Sequence, residues 1–120
     1  SLKKGASTMG LYRLYTGDDG QSHFEDQTLS SHPALTESQA TSHITFVEVP
    51  VGTFMDWHPP PRRQYVIILS GQLEIGLGDG TKRRFGAGDA RLVEDTTGQG
   101  HTTRVVSDEP VIMGVVPLAE

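Results

Sequence analysis

Residues Gly52–Gly71 read GTFMDWHPPPRRQYVIILSG, and the fold turns on this stretch. An apolar segment stops at His58, three prolines follow at 59–61, and a strongly strand-like run begins at Gln64. A triple proline lacks three backbone donors and has fixed φ angles, so it fits neither a helix interior nor a paired central strand. The chain must therefore leave one strand near His58 and enter another near Gln64. Those two residues share parity, so across a short loop their side chains can converge on one cavity.

The sequence on either side is β-like as well. Upstream, Leu11–Tyr15 and Ser22–Leu29 read as strands separated by the turn cluster Thr16–Gly20. Residues 30–41, rich in Ser, Thr and Pro, read as a loop with a short helical turn from Thr36. His43–Val49 and Val51–His58 follow as strands broken by Pro50. Tyr65–Leu69 is apolar at every position, which predicts a strand covered on both faces, with Tyr65 packed between sheets. Downstream, Gln72–Leu77 alternates cleanly and Gly78-Asp79-Gly80 marks a hairpin returning through Thr81–Phe85. Ala90–Glu94, the segment led by His101, and Val111–Val116 complete the strands, with turn signals between them. Short strands at regular intervals predict an antiparallel sandwich or barrel.

With strands this short, 120 residues suit one domain, and 35% hydrophobic residues with 14 glycines and 7 prolines suit a turn-rich β domain with a single cavity. Residues 1–9 read as a tail or expression remnant, leaving residues 10–120 as the domain. The net charge is −5 and there is no basic stripe, so nucleic acid is not an expected partner. Lys82-Arg83-Arg84 reads as a charged, solvated edge strand. Without cysteine there are no disulfides and no thiolate chemistry. No signal peptide or membrane-length apolar run is evident, and a cytoplasmic location is expected.

Gly52, His58, Pro60, Gln64 and Gly71 have the spacing of G-x5-H-x-H-x3-E-x6-G, the first motif of the cupin superfamily, which the chain resembles here. Pro60 replaces the second histidine and Gln64 the glutamate. Gly88 to His101 resembles the second motif, G-x5-P-x-G-x2-H-x3-N, with two extra residues, Thr96 at the proline position and Val105 at the asparagine position. The resemblance implies an all-β, antiparallel cupin-type double-stranded β-helix, or jelly-roll barrel. It also implies a divalent transition metal (Fe, Mn, Ni, Zn or Cu) at His58, Gln64 and His101, and pairing as a homodimer with Val111–Val116 as one contact. Two imidazoles and a neutral amide make a weak donor set, because no carboxylate offsets the metal charge. Glu94, Asp95, His23 and His43 are candidates for a replacement ligand.

Arg62 and Arg63, beside the prolines, are candidates to clasp a small acidic ligand. Two functions stay open. One is a metal-dependent enzyme, dioxygenase- or isomerase-like, acting on a small organic acid. The other is a metal-free small-molecule binding or sensing protein. Acid–base sugar chemistry pairing His58 or His101 with a carboxylate such as Asp56 is a third option.

Overall fold

The computed structural model describes residues 10–120, so the tail assigned to residues 1–9 lies outside the described residues. Among the described residues ten strands form in chain order: β1 (Leu11–Thr16), β2 (Ser22–Asp26), β3 (Thr45–Val49), β4 (Phe54–His58), β5 (Gln64–Ser70), β6 (Gln72–Gly76), β7 (Lys82–Gly86), β8 (Ala90–Glu94), β9 (His101–Val105) and β10 (Val111–Pro117). They build two facing sheets, one of four strands in the order β4-β9-β6-β7 and one of six in the order β2-β1-β8-β5-β10-β3. All pairings are antiparallel except β1 with β8. The result is the antiparallel sandwich anticipated from the turn spacing, in the jelly-roll form that the cupin resemblance implies. Among the described residues no helix is long and apolar enough to cross a membrane.

Alternation places Leu73 and Ile75 of β6, Phe85 of β7, Val105 of β9, and Tyr12 and Leu14 of β1 in one buried core. Tyr12 and Phe85 stack with centroids 3.8 Å apart, and Phe24 meets both rings edge-on or tilted. Arg83 is more than a solvated edge charge. Its guanidinium lies over the Phe24 and Phe85 rings and pairs with Asp26 at 2.8 Å.

Several expectations shift. Residues 51–53 form a turn, so β4 begins at Phe54, and β2 ends at Asp26. The helical turn is 3-10 and sits earlier, at Pro33–Thr36, where proline supplies the first φ angle. β5 is covered on one face only: Val66 and Ile68 are buried, while Ile67 and Leu69 are 38% and 50% exposed. Tyr65 faces the same outer side and donates its hydroxyl proton to Gln39 Oε1 at 2.9 Å. Its all-apolar run carried no period to reveal this. Phe46 of β3 (66% exposed) and Ile112 of β10 (38%) extend the same outer face.

Candidate functional site

β4 and β9 are neighbours, and their register sets His58 directly across from His101. The next inward pair is Met55 with Thr103, so Asp56 and Trp57 together oppose the single residue Thr102. That two-against-one arrangement is a β-bulge. It explains how residues 55 and 58, of opposite parity, both line the interior, and why Trp57 is left 41% exposed. Gly100, with φ of 77°, brings the loop into β9 under the His58 carbonyl, where any Cβ would collide. The two imidazole centroids lie 5.3 Å apart.

Both rings are held by their Nδ1 atoms. His58 Nδ1–H donates to the Asp56 carbonyl at 2.7 Å, and His101 Nδ1–H donates to Asp95 Oδ2 at 2.6 Å. Asp95 is fully buried, and the Ser22 hydroxyl also donates to its Oδ2, at 2.7 Å. A carbonyl can only accept, so Nδ1 of His58 carries a proton, and in the neutral ring the lone pair is on Nε2. Among the described residues neither Nε2 has a hydrogen-bond partner. Asp95 therefore stands behind His101 and orients it, while Ser22, from the distant β2, fixes Asp95.

The imidazoles border a cavity of about 160 Å³ between the sheets. Gln64 also lines it, as do Pro60 and Pro61 at the loop and Val66, Val93, Met113 and Val115 along the six-stranded sheet. His58, Gln64 and His101 are thus brought to one space. Arg91, which the sequence reading passed over, lines it too. It is 6% exposed, and neither its Nε nor its Nη1 has a hydrogen-bond partner among the described residues. In Ala90-Arg-Leu-Val-Glu94 two adjacent apolar residues hide the alternation; the usable signal was that Arg91 shares parity with Val93, which is inward.

The other candidates lie elsewhere. Neither Arg62 nor Arg63 lines the cavity. Arg63 is bound by Glu94 at 2.6 Å and also by Glu120, and Arg62 is exposed. Glu94 faces outward, bridging Arg13 and Arg63. His23 contacts Asp19 at 3.0 Å and His43 contacts Ser42 at 3.1 Å, neither at the cavity. The Asp56 carboxylate accepts from the Trp57 backbone N–H, and only its backbone carbonyl touches His58.

The divalent metal implied by the motif resemblance finds a poor match here. Among the described residues no group of three His, Cys, Asp or Glu could hold an ion. The cavity offers two imidazoles and an amide, no carboxylate lines it, and Arg91 already puts a positive charge on its wall. With no carboxylate to offset the dication and no third imidazole to complete the coordination, the donor set does not fit a transition metal.

A family model described as the Cupin domain matches residues 45–117. No curated protein matches the sequence. Among solved structures, a conserved protein of unknown function from Streptococcus pyogenes aligns at 25% identity and TM-score 0.51, over 70% of this chain and 68% of its own. A cupin 2 conserved barrel domain protein from Salinispora arenicola CNS-205 aligns at 24% identity and TM-score 0.51, over 63% of this chain and 61% of its own. The DMSP lyase DddQ from Ruegeria pomeroyi DSS-3 aligns at 26% identity and TM-score 0.53, over 69% of this chain and 40% of its own. This chain thus spans less than two-thirds of the last two. With the motif spacing, the paired sheets and a family match over more than half its length, the chain belongs to the cupin superfamily.

Proposed function

We propose that this cupin binds a small organic metabolite in the cavity between its sheets, without a resident metal, and meets the metabolite's polar end with His58 and His101. The observation that carries this is the pair of imidazoles, each tied at Nδ1 and open at Nε2, on the wall of one cavity. At about 160 Å³ the space lies below the roughly 300–1,000 Å³ of pockets for drug-sized ligands, which suits a compact metabolite. The test is a titration of isotope-labelled protein with a library of small metabolites, following the imidazole signals by NMR. Compounds that move the His58 and His101 signals together support the reading. Stoichiometric metal in protein purified without added ions, lost in both His58→Ala and His101→Ala, overturns it.

The Asp95 carboxylate behind His101 favours a catalytic version of the same reading, in which His101 Nε2 takes a proton from the bound metabolite. Positioned general bases contribute roughly 10²–10⁴-fold. Bound compounds should exchange an acidic C–H for deuterium in D₂O, and Asp95→Asn should slow that exchange about a hundredfold or more by leaving His101 in the wrong tautomer. Exchange at the wild-type rate in Asp95→Asn removes the catalytic version and leaves the binding one.

We also propose that a second copy of the chain packs on the outer face of β3, β10 and β5. Phe46, Ile67, Leu69 and Ile112 are all more than a third exposed on these three adjacent strands. Gly114 pairs with Phe46 on one side and Ile67 on the other, and the Phe46 and Ile44 side chains lie close over it. Exposed apolar side chains on adjacent strands mark an interaction surface, and a two-fold pairing sets the same patch of each copy against the other.

A further inference from the structure

Arg91 lies in β8, in the interior of the six-stranded sheet, with Tyr12 of β1 on one side and Val66 of β5 on the other. It projects into the cavity, where the surrounding walls are largely apolar. Among the described residues the Arg91 Nε and Nη1 are buried without hydrogen-bond partners, and no acidic side chain lines the space. The buried Tyr12 hydroxyl, on the paired residue of β1, sits beside the guanidinium, but being neutral it cannot offset the charge. Desolvating a lone cation is among the costliest things a fold can do, and such charges persist where a counter-charge arrives. Among the described residues none lines this place.

We infer that Arg91 is the anchor for the carboxylate of a small monocarboxylic acid, held deep in the cavity with the rest of the molecule directed at His58 and His101. This presupposes the metabolite pocket proposed above. The register gives the orientation. Gln64 pairs with Val93 and Val66 pairs with Arg91, so Arg91 lies two residues, or about 7 Å, further along the sheet than the Gln64 level. A planar carboxylate matches the guanidinium fork and brings one negative charge to one positive charge. A phosphate dianion would leave a second charge uncompensated among apolar walls.

The test titrates labelled wild-type protein with acetate, propionate and butyrate, with their primary amides, and with inorganic phosphate, following the Arg91 side-chain N–H signal and the two imidazoles by NMR. Saturable movement of the Arg91 signal by the carboxylates, at least tenfold tighter than by the matched amides or phosphate, is the expected result. Arg91→Met, which keeps volume and removes the charge, should bind acid and amide equally. It should also melt at or above the ligand-free wild-type temperature, because an uncompensated buried charge has gone. Arg91→Lys, a check should the methionine variant not fold, should weaken carboxylate binding about tenfold. Carboxylates that move the imidazoles but not Arg91, or bind Arg91→Met as tightly as wild type, overturn the anchor and leave the pocket reading standing. Phosphate binding tighter than every carboxylate overturns the ligand class. If none of these probes moves Arg91 or the imidazoles, the anchor falls, and the library titration alone decides the pocket.

Discussion

At the scale of single residues, burial sets two outcomes. Tyr12 is 2% exposed, and burial pushes its phenol up to about 12, partly offset by the charge of the neighbouring Arg91. Below pH 10 both folded and unfolded chains keep the proton, and nothing is lost. Between pH 10 and 12 the unfolded chain releases it while the folded protein holds it, so stability falls as pH rises, by about 3 kcal/mol across the window. Alkaline difference spectroscopy should show one tyrosine ionising near pH 12 and that component disappearing in Tyr12→Phe. A full complement of phenolate by pH 11 in folded protein would contradict it. The second outcome concerns the rings of the candidate site. With Nδ1–H bound to the Asp56 carbonyl and to Asp95, neutral His58 and His101 should both show the Nδ1–H pattern in long-range nitrogen–proton spectra. Asp95→Asn should change the pattern at His101 alone. The same change costs roughly 1–3 kcal/mol by disturbing a buried bond, measurable by denaturant unfolding.

At the scale of elements, the two imidazoles meet because of a bulge and a glycine. Gly100 has a positive φ and no room for a Cβ against the His58 carbonyl. Gly100→Ala should therefore cost roughly 2–3 kcal/mol and shift both imidazole signals, read from urea unfolding and NMR. Gly52→Ala is the control. It carries the same left-handed strain but meets open space, so it should lose less stability and leave the rings in place. The sequence showed part of this. Three prolines after His58 and the Gly-x-x-His spacing before His101 carry backbone constraints that can be read locally, so the strand–loop–strand arrangement and the approach of residues 58, 64 and 101 were legible. The bulge was not, because Asp56-Trp57 looks like ordinary alternation until Thr102 is set opposite. Arg91 was hidden for a related reason: its shared parity with Val93 is informative only once pairing with Tyr12 and Val66 has shown which face of β8 is interior. The reading of Arg62 and Arg63 as ligand clasps failed to foresee Glu94 and Glu120, which are remote along the chain from the arginine they engage.

At the scale of the whole molecule, β10 joins the two proposed surfaces. Met113 and Val115 line the cavity, while Ile112, on the same strand, belongs to the exposed apolar face. β5 is divided in the same way, with Gln64 and Val66 inward and Ile67 and Leu69 outward. A second copy packed on that face would back the cavity wall and restrain the strands that shape it. Phe46→Glu combined with Ile67→Lys places charges on the strands either side of Gly114 without touching a cavity residue. The double variant should run as a monomer in light scattering at concentrations where the wild type is a dimer. Its melting temperature should no longer rise with protein concentration, as mass action requires of the paired form. Its ligand affinity should fall severalfold, because the β5–β10 wall loses its backing while every lining residue is retained. A wild-type protein that stays monomeric at about 100 μM, well above typical interface affinities, would end the dimer proposal. A monomeric double variant that binds as tightly as the wild type would separate the two surfaces, leaving the cavity complete within a single chain.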